Sequence, residues 1–148
     1  MQTSLNKVVN LLQEIATSNA LLNGNFTFCD VADLGASAPL SYPLLWGDVR
    51  PSNFGSKVFS LNLQLTAIDI VLKDLSNERD VLSDTLQIIS DVIAKIKQST
   101  YYGSYFEMQE NISCTPIKDS YGDEVAGWVC NFTLNIANPY DSCLVPTN

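Results

Sequence analysis

The sequence predicts an α+β fold, an antiparallel β-sheet packed against two α-helices. Three observations predict it. Two segments carry apolar residues at helical spacing, several others alternate apolar with polar residues, and the strand-like segments come in runs interrupted by one helix. The chain has 148 residues. That length is expected to make one domain, residues 1–148, large enough to take about 68–70% of its unfolded surface out of water. Hydrophobic residues at 46% and charged residues at 16% are a globular balance, too apolar for a disordered chain.

The first helix is expected over residues 3–20. Leu5, Val8, Val9, Leu12, Ile15 and Ala16 make one apolar stripe, Thr3 or Ser4 can cap it, and "NGN" at Asn23–Asn25 stops it with turn chemistry. Short strands follow over residues 26–31 and 43–49. The stretch "DLGASAPLSYP" between them has the Gly, Pro and Ser of a surface loop, and "RPSNFGS" after them reads as a turn or loop.

"KVFSLNLQLTAIDIVL" is the clearest strand. Phe59, Leu61, Leu63, Leu65 and Ala67 alternate with Ser60, Asn62, Gln64 and Thr66, giving one apolar and one wet face. After Ala67 the apolar set moves to Ile68, Ile70 and Leu72. Either a bulge or sharp twist near Ala67–Ile68 restores the register, or this end is buried on both faces.

The second helix begins in "SNERDVLSDTLQIISD". Ser76 or Asn77 is a suitable N-cap, and Leu82, Leu86, Ile89, Ile93 and Ile96 form the expected buried stripe. Glu78 and Asp80 fall in the first turn, and Lys95 and Lys97 in the last. Both placements complement the helix dipole. Asp80 and Asp84 share a face at i, i+4, but two carboxylates without a third ligand make a poor cation site. The structural explanation is the better one for all three acids, with Asp84 on the solvated face.

Beyond the helix, Phe106, Met108 and Ile112 point one way along a strand, and "TPIKDSYGDE" reads as a loop. The last strand, "VAGWVCNFTLNI", places Trp128, Cys130, Phe132, Leu134 and Ile136 toward the core and Asn131, Thr133 and Asn135 outward. "ANPYDSCLVPTN" is an irregular tail.

Composition narrows the functions. There is no histidine, which removes imidazole triads and the commonest general base and metal ligand. The net charge of −8 opposes binding to nucleic acid phosphates. The seven glycines are dispersed, so no phosphate-cradling loop is present. The cysteines Cys29, Cys114, Cys130 and Cys143 form no C-x-x-C pair. Cys130 reads as a small core residue and the thiols as reduced. The aromatic run Tyr101, Tyr102, Tyr105 and Phe106 lacks the basic residues of a base-stacking surface, so a core or subunit contact is the better reading. No apolar run of transmembrane length and no signal-peptide pattern occurs, so synthesis in the cytoplasm, with no membrane association, is expected. No catalytic residue, cofactor or metal is expected.

The passages "IDIVLKDLSNERDVLSDTLQIISDVIA" and "GDEVAGWVCNFTLNI", with the "PYDSCLVP" ending, resemble a family of small virion proteins. These occur in crAss-like tailed phages and related phages of Bacteroidetes hosts, and are similar to tail-terminator and head–tail completion proteins. The likeness runs from about Leu44 to the C-terminus and is strongest between Asp69 and Ile93. It implies a ring of six or twelve copies in the neck or upper tail. Such a ring contacts neighbouring neck or tail proteins and lets DNA pass without specific binding. The location implied is the virion, with assembly in the host cytoplasm. Because interfaces gather aromatic residues, Trp46, Phe54, Tyr101 and Tyr140 are the expected subunit contacts. They would be joined by the sheet's wet face, the loops over residues 34–42 and 50–57 and the tail after Ile136. The alternative is a monomeric or dimeric binding module or enzyme of unknown ligand.

Overall fold

The computed structural model describes residues 5–29, 41–100, 102–103, 105–120 and 124–137. The elements run α1 (Leu5–Ser18), β1 (Phe26–Phe28), β2 (Leu44–Phe54), β3 (Val58–Ile70), α2 (Glu78–Gln98), β4 (Phe106–Met108), β5 (Ser113–Ser120) and β6 (Glu124–Ala137). The fold is α+β, with one six-stranded sheet in the order β1-β2-β3-β6, and β4 and β5 both on the outer side of β6.

The sheet is mixed rather than purely antiparallel. β1 pairs β2 in parallel, Phe26 opposite Leu45 and Phe28 opposite Gly47, while the other pairings are antiparallel. A parallel neighbour needs a long return path, and residues 29–43 provide one. The Phe28 ring lies over Gly47, where a Cβ would come within 2.8 Å of its Cδ2.

β3 is the spine. It pairs β6 without a break from Val58↔Ala137 to Ile70↔Val125, so no bulge at Ala67–Ile68 restores the register. That end is buried on both faces instead. On one face Leu61, Leu63, Leu65 and Ala67 meet Cys130, Phe132, Leu134 and Ile136 beneath the two helices. On the other, Leu44, Trp46, Ile68 and Val125 form a second cluster, with Cys29, Tyr42 and Ile117 packed on it. Thr66, expected on a wet face, is buried at its edge.

The bulge lies in β2. Between Arg50↔Asn62 and Asn53↔Ser60, two residues oppose one. Pro51 has no N–H to give to a ladder. Ser52 Oγ instead accepts from the Asn62 N–H (2.9 Å), and Asn62 Nδ2 donates to the Pro51 carbonyl (2.7 Å). "RPSNF" therefore stays in the strand, where its turn-forming residues pointed to a loop. β5 corrects the sequence reading in the same way: "TPIKDS" pairs along β6 from Ser113↔Asn131 to Ser120↔Glu124. Its Pro116 sits on an edge strand, where a missing donor costs least.

Both helices cover the first face. α1 buries Val8, Leu11, Leu12, Ile15 and Ala16 but leaves Leu5 exposed. α2 buries Val81, Thr85, Ile88, Ile89, Val92 and Ile96. This stripe is rotated from the expected one: Leu86 is exposed, Leu82 and Ile93 are half-buried, and Thr85 lies inside. Thr85 can be buried because its hydroxyl donates to the Val81 carbonyl (2.7 Å) within the helix.

Candidate functional site

The expected N-cap does a different job. Asn77 occupies the N-cap position without a side-chain cap bond. Its amide is used by the strand–helix junction, accepting from the Leu72 N–H (2.8 Å) and donating to the Ile70 carbonyl (3.2 Å). Next to it, the Ser76 N–H (3.1 Å) binds the Asp74 carboxyl. That backbone bond, then the Ser76 hydroxyl, holds Asp74 below the usual carboxylate range.

The carboxylates at the start of α2 do not converge on a reaction centre. Glu78 pairs with Lys118 of β5 (2.7 Å), tying the helix to the sheet edge. Asp80 and Asp84 are exposed. A depression here is lined by Leu75, Ser76, Glu78, Arg79, Asp80 and Leu82; of its two acids, Glu78 is taken up by Lys118 and Asp80 is exposed. A groove of about 320 Å³ between the C-terminal ends of α1 and α2 offers only Asp91 and Lys95 as charged groups. Among the described residues, no group of three or more His, Cys, Asp or Glu is placed to hold a metal ion. No helix among them is long and apolar enough to cross a membrane.

The four aromatic residues expected at a subunit contact separate. Trp46 is buried in the second cluster, and its Nε1 donates to the Cys29 carbonyl (2.9 Å), so its side chain serves the chain's own packing. Phe54 is 68% exposed. It lies at the end of the β2–β3 hairpin, with its ring centroid 4.5 Å from that of Phe59. The loop here turns through Lys57 at φ 61°. Tyr101 and Tyr140 lie outside the described residues, as do most of the loop over residues 34–42 and the tail after Ala137.

A second exposed apolar surface is aliphatic and carries no aromatic residue to mark it in the sequence. Ile70, Leu72 and Leu75 are 44%, 53% and 50% exposed at the junction between β3 and α2. Periodicity assigned Ile70 and Leu72 to the interior; the available signal was the break in alternation after Ala67. This surface lies at the far end of β3 from Phe54. A strand of 13 residues rises roughly 40 Å.

The sheet face away from the helices carries a polar patch between these ends. Thr133 Oγ1 donates to Asn62 Oδ1 (2.5 Å), Ser60 Oγ donates to Asn135 Oδ1 (3.1 Å), and Arg50 donates to Gln64. These mutual bonds hold the patch in one arrangement. No protein-family model and no curated protein sequence matches this chain.

Proposed function

We propose that the chain is a structural subunit of a bacteriophage neck or upper tail, assembling into a homo-oligomeric ring that joins head to tail around the DNA channel. The observation that carries this reading is the separation of two different exposed apolar surfaces, Phe54 at one end of β3 and Ile70, Leu72 and Leu75 at the other. A head-to-tail ring needs two unlike, complementary patches on opposite sides of a subunit; a two-fold dimer needs only one. The fixed polar patch between them lowers the ordering cost of contact with a neighbour. The sequence resemblance supplies the phage setting. The net charge of −8 suits a channel wall that must not hold DNA.

The test is native mass measurement of Phe54→Asp and Leu75→Asp, separately and mixed. In a head-to-tail ring each variant alone loses one half of every contact and stays monomeric. Mixed, the two join through the single intact pair and stop at a dimer. A wild-type chain that stays monomeric with and without neck proteins, or is missing from purified virions, overturns the ring. Tight DNA binding by the monomer at low salt overturns it too and favours a free binding module.

A further inference from the structure

Cys114 and Cys130 stand directly opposite one another on β5 and β6. The kind of pair they form follows from two backbone bonds. The Gln109 N–H donates to the Thr133 carbonyl (3.2 Å), so residue 133 of β6 turns its backbone groups toward the β4–β5 edge. The Val71 N–H donates to the Glu124 carbonyl (2.9 Å), so residue 124 turns its groups toward β3. Backbone groups alternate along a strand, and the β3–β6 register is unbroken over this span. Cys130 therefore directs its backbone groups at β3, and Cys114↔Cys130 is a non-hydrogen-bonded antiparallel pair. At such sites the Cα atoms approach to about 4.5 Å and the side chains are closest. That lies inside the Cα range of about 4.4–6.8 Å that a disulfide spans. Both thiols are free in the structure.

We propose that Cys114 and Cys130 form a redox-active dithiol that closes a cross-strand disulfide by exchange with a low-molecular-weight disulfide of the glutathione type, pinning the edge strand β5 to β6. The two sulfurs have unequal roles. Cys114 is exposed and Cys130 is fully buried. Burial, then the charge and hydrogen bond of Cys114, pushes the Cys130 thiol up to about 12. Cys114 is the sulfur that meets the oxidant. Its thiolate attacks the small disulfide, an S–S bond forms at Cys114 Sγ, the original S–S bond breaks and one small thiolate leaves. Cys130 Sγ then attacks Cys114 Sγ and gives its proton to that thiolate. The protein disulfide forms and the second small thiolate leaves. Two protein thiols are oxidised by two electrons in all, and one small disulfide is reduced to two thiols.

The experiment incubates the intact protein with millimolar oxidised glutathione, blocks remaining thiols, maps peptides by mass and records the melting temperature. The expected result is a Cys114–Cys130 linked peptide, two fewer blockable thiols per chain, and a melting temperature several degrees higher that dithiothreitol reverses. Cys114→Ser, a change at an exposed position, should remove both the linked peptide and the shift. Cys130→Ser should stop at a glutathione adduct on Cys114. A wild-type protein that stops at that adduct, or links Cys114 to Cys143 or to another chain, overturns the proposal. A linked peptide with no rise in melting temperature overturns the pinning of β5.

Discussion

Leu63 states the core in one residue. It is 2% exposed at the middle of β3, opposite Phe132 and beneath the helices. Leu63→Ala is expected to cost ~2–5 kcal/mol in denaturant unfolding, the transfer loss plus the cavity left behind; a change within ~0.5 kcal/mol would place it at a surface. Cys130 adds a pH signature. Its thiol is raised from 9.0 to about 12, so between those values the folded chain keeps a proton that the unfolded chain gives up. The stability this contributes is complete below pH 9 and is lost as pH rises through the window. The measurement that isolates this group is the stability difference between wild type and Cys130→Ala against pH. That difference should shrink from pH 9 to 12; a flat difference removes the assigned cause.

Elements are joined by residues that look ordinary in the sequence. A Cβ on Gly127 would lie 1.8 Å from the Ala67 carbonyl oxygen and 2.9 Å from the Ile68 Cα. Those are backbone atoms of β3, which move only if the sheet's central pairing moves. Gly127→Ala is expected to cost more than about 3 kcal/mol, in the range of severe steric mechanisms, or to abolish folding, checked by circular dichroism and melting. Asn77 was legible as a helix-start residue but not as the tie across the β3–α2 junction. Asn77→Ala removes two exposed hydrogen bonds and should cost about 1–2 kcal/mol in denaturant unfolding. An unchanged stability would mean that water replaces both bonds. α2 was legible from its spacing, yet its buried stripe was misplaced because Leu86 outranks Thr85 in hydropathy. Trp128 helps set the helix's rotation by donating from Nε1 to the Leu82 carbonyl (2.8 Å), and no periodicity contains that bond.

For the whole molecule, two of the expected interface aromatics divide into a buried residue, Trp46, and an exposed one, Phe54. Trp46→Ala should destabilise the fold by about 3–5 kcal/mol, as large aromatic truncations in a core do. Phe54→Ala should leave the melting temperature nearly unchanged and weaken assembly. Paired melting and native mass measurements on the two variants separate the roles, and the reverse pattern would assign the interface to the second cluster. The apolar patches at the two ends of β3 give the molecule a direction, which a ring requires of its subunit.

By itself the sequence determined that this is an α+β domain with two amphipathic helices, a long alternating strand as its spine and a last strand with a fixed inward face. Those readings rest on local period, and local period survives any tertiary arrangement. The acids and lysines at the ends of α2 were determined the same way, because the helix dipole acts within one turn. Only the tertiary structure decided what depends on a partner distant in the chain. Parallel pairing made β1 a neighbour of β2. The β6 ladder turned "TPIKDS" into a strand. The second cluster buried both faces at Ala67–Ile68 and took Trp46 inside. The opposition of Cys114 and Cys130 also belongs to this group: the two lie in different strands, and only the sheet register brings them together.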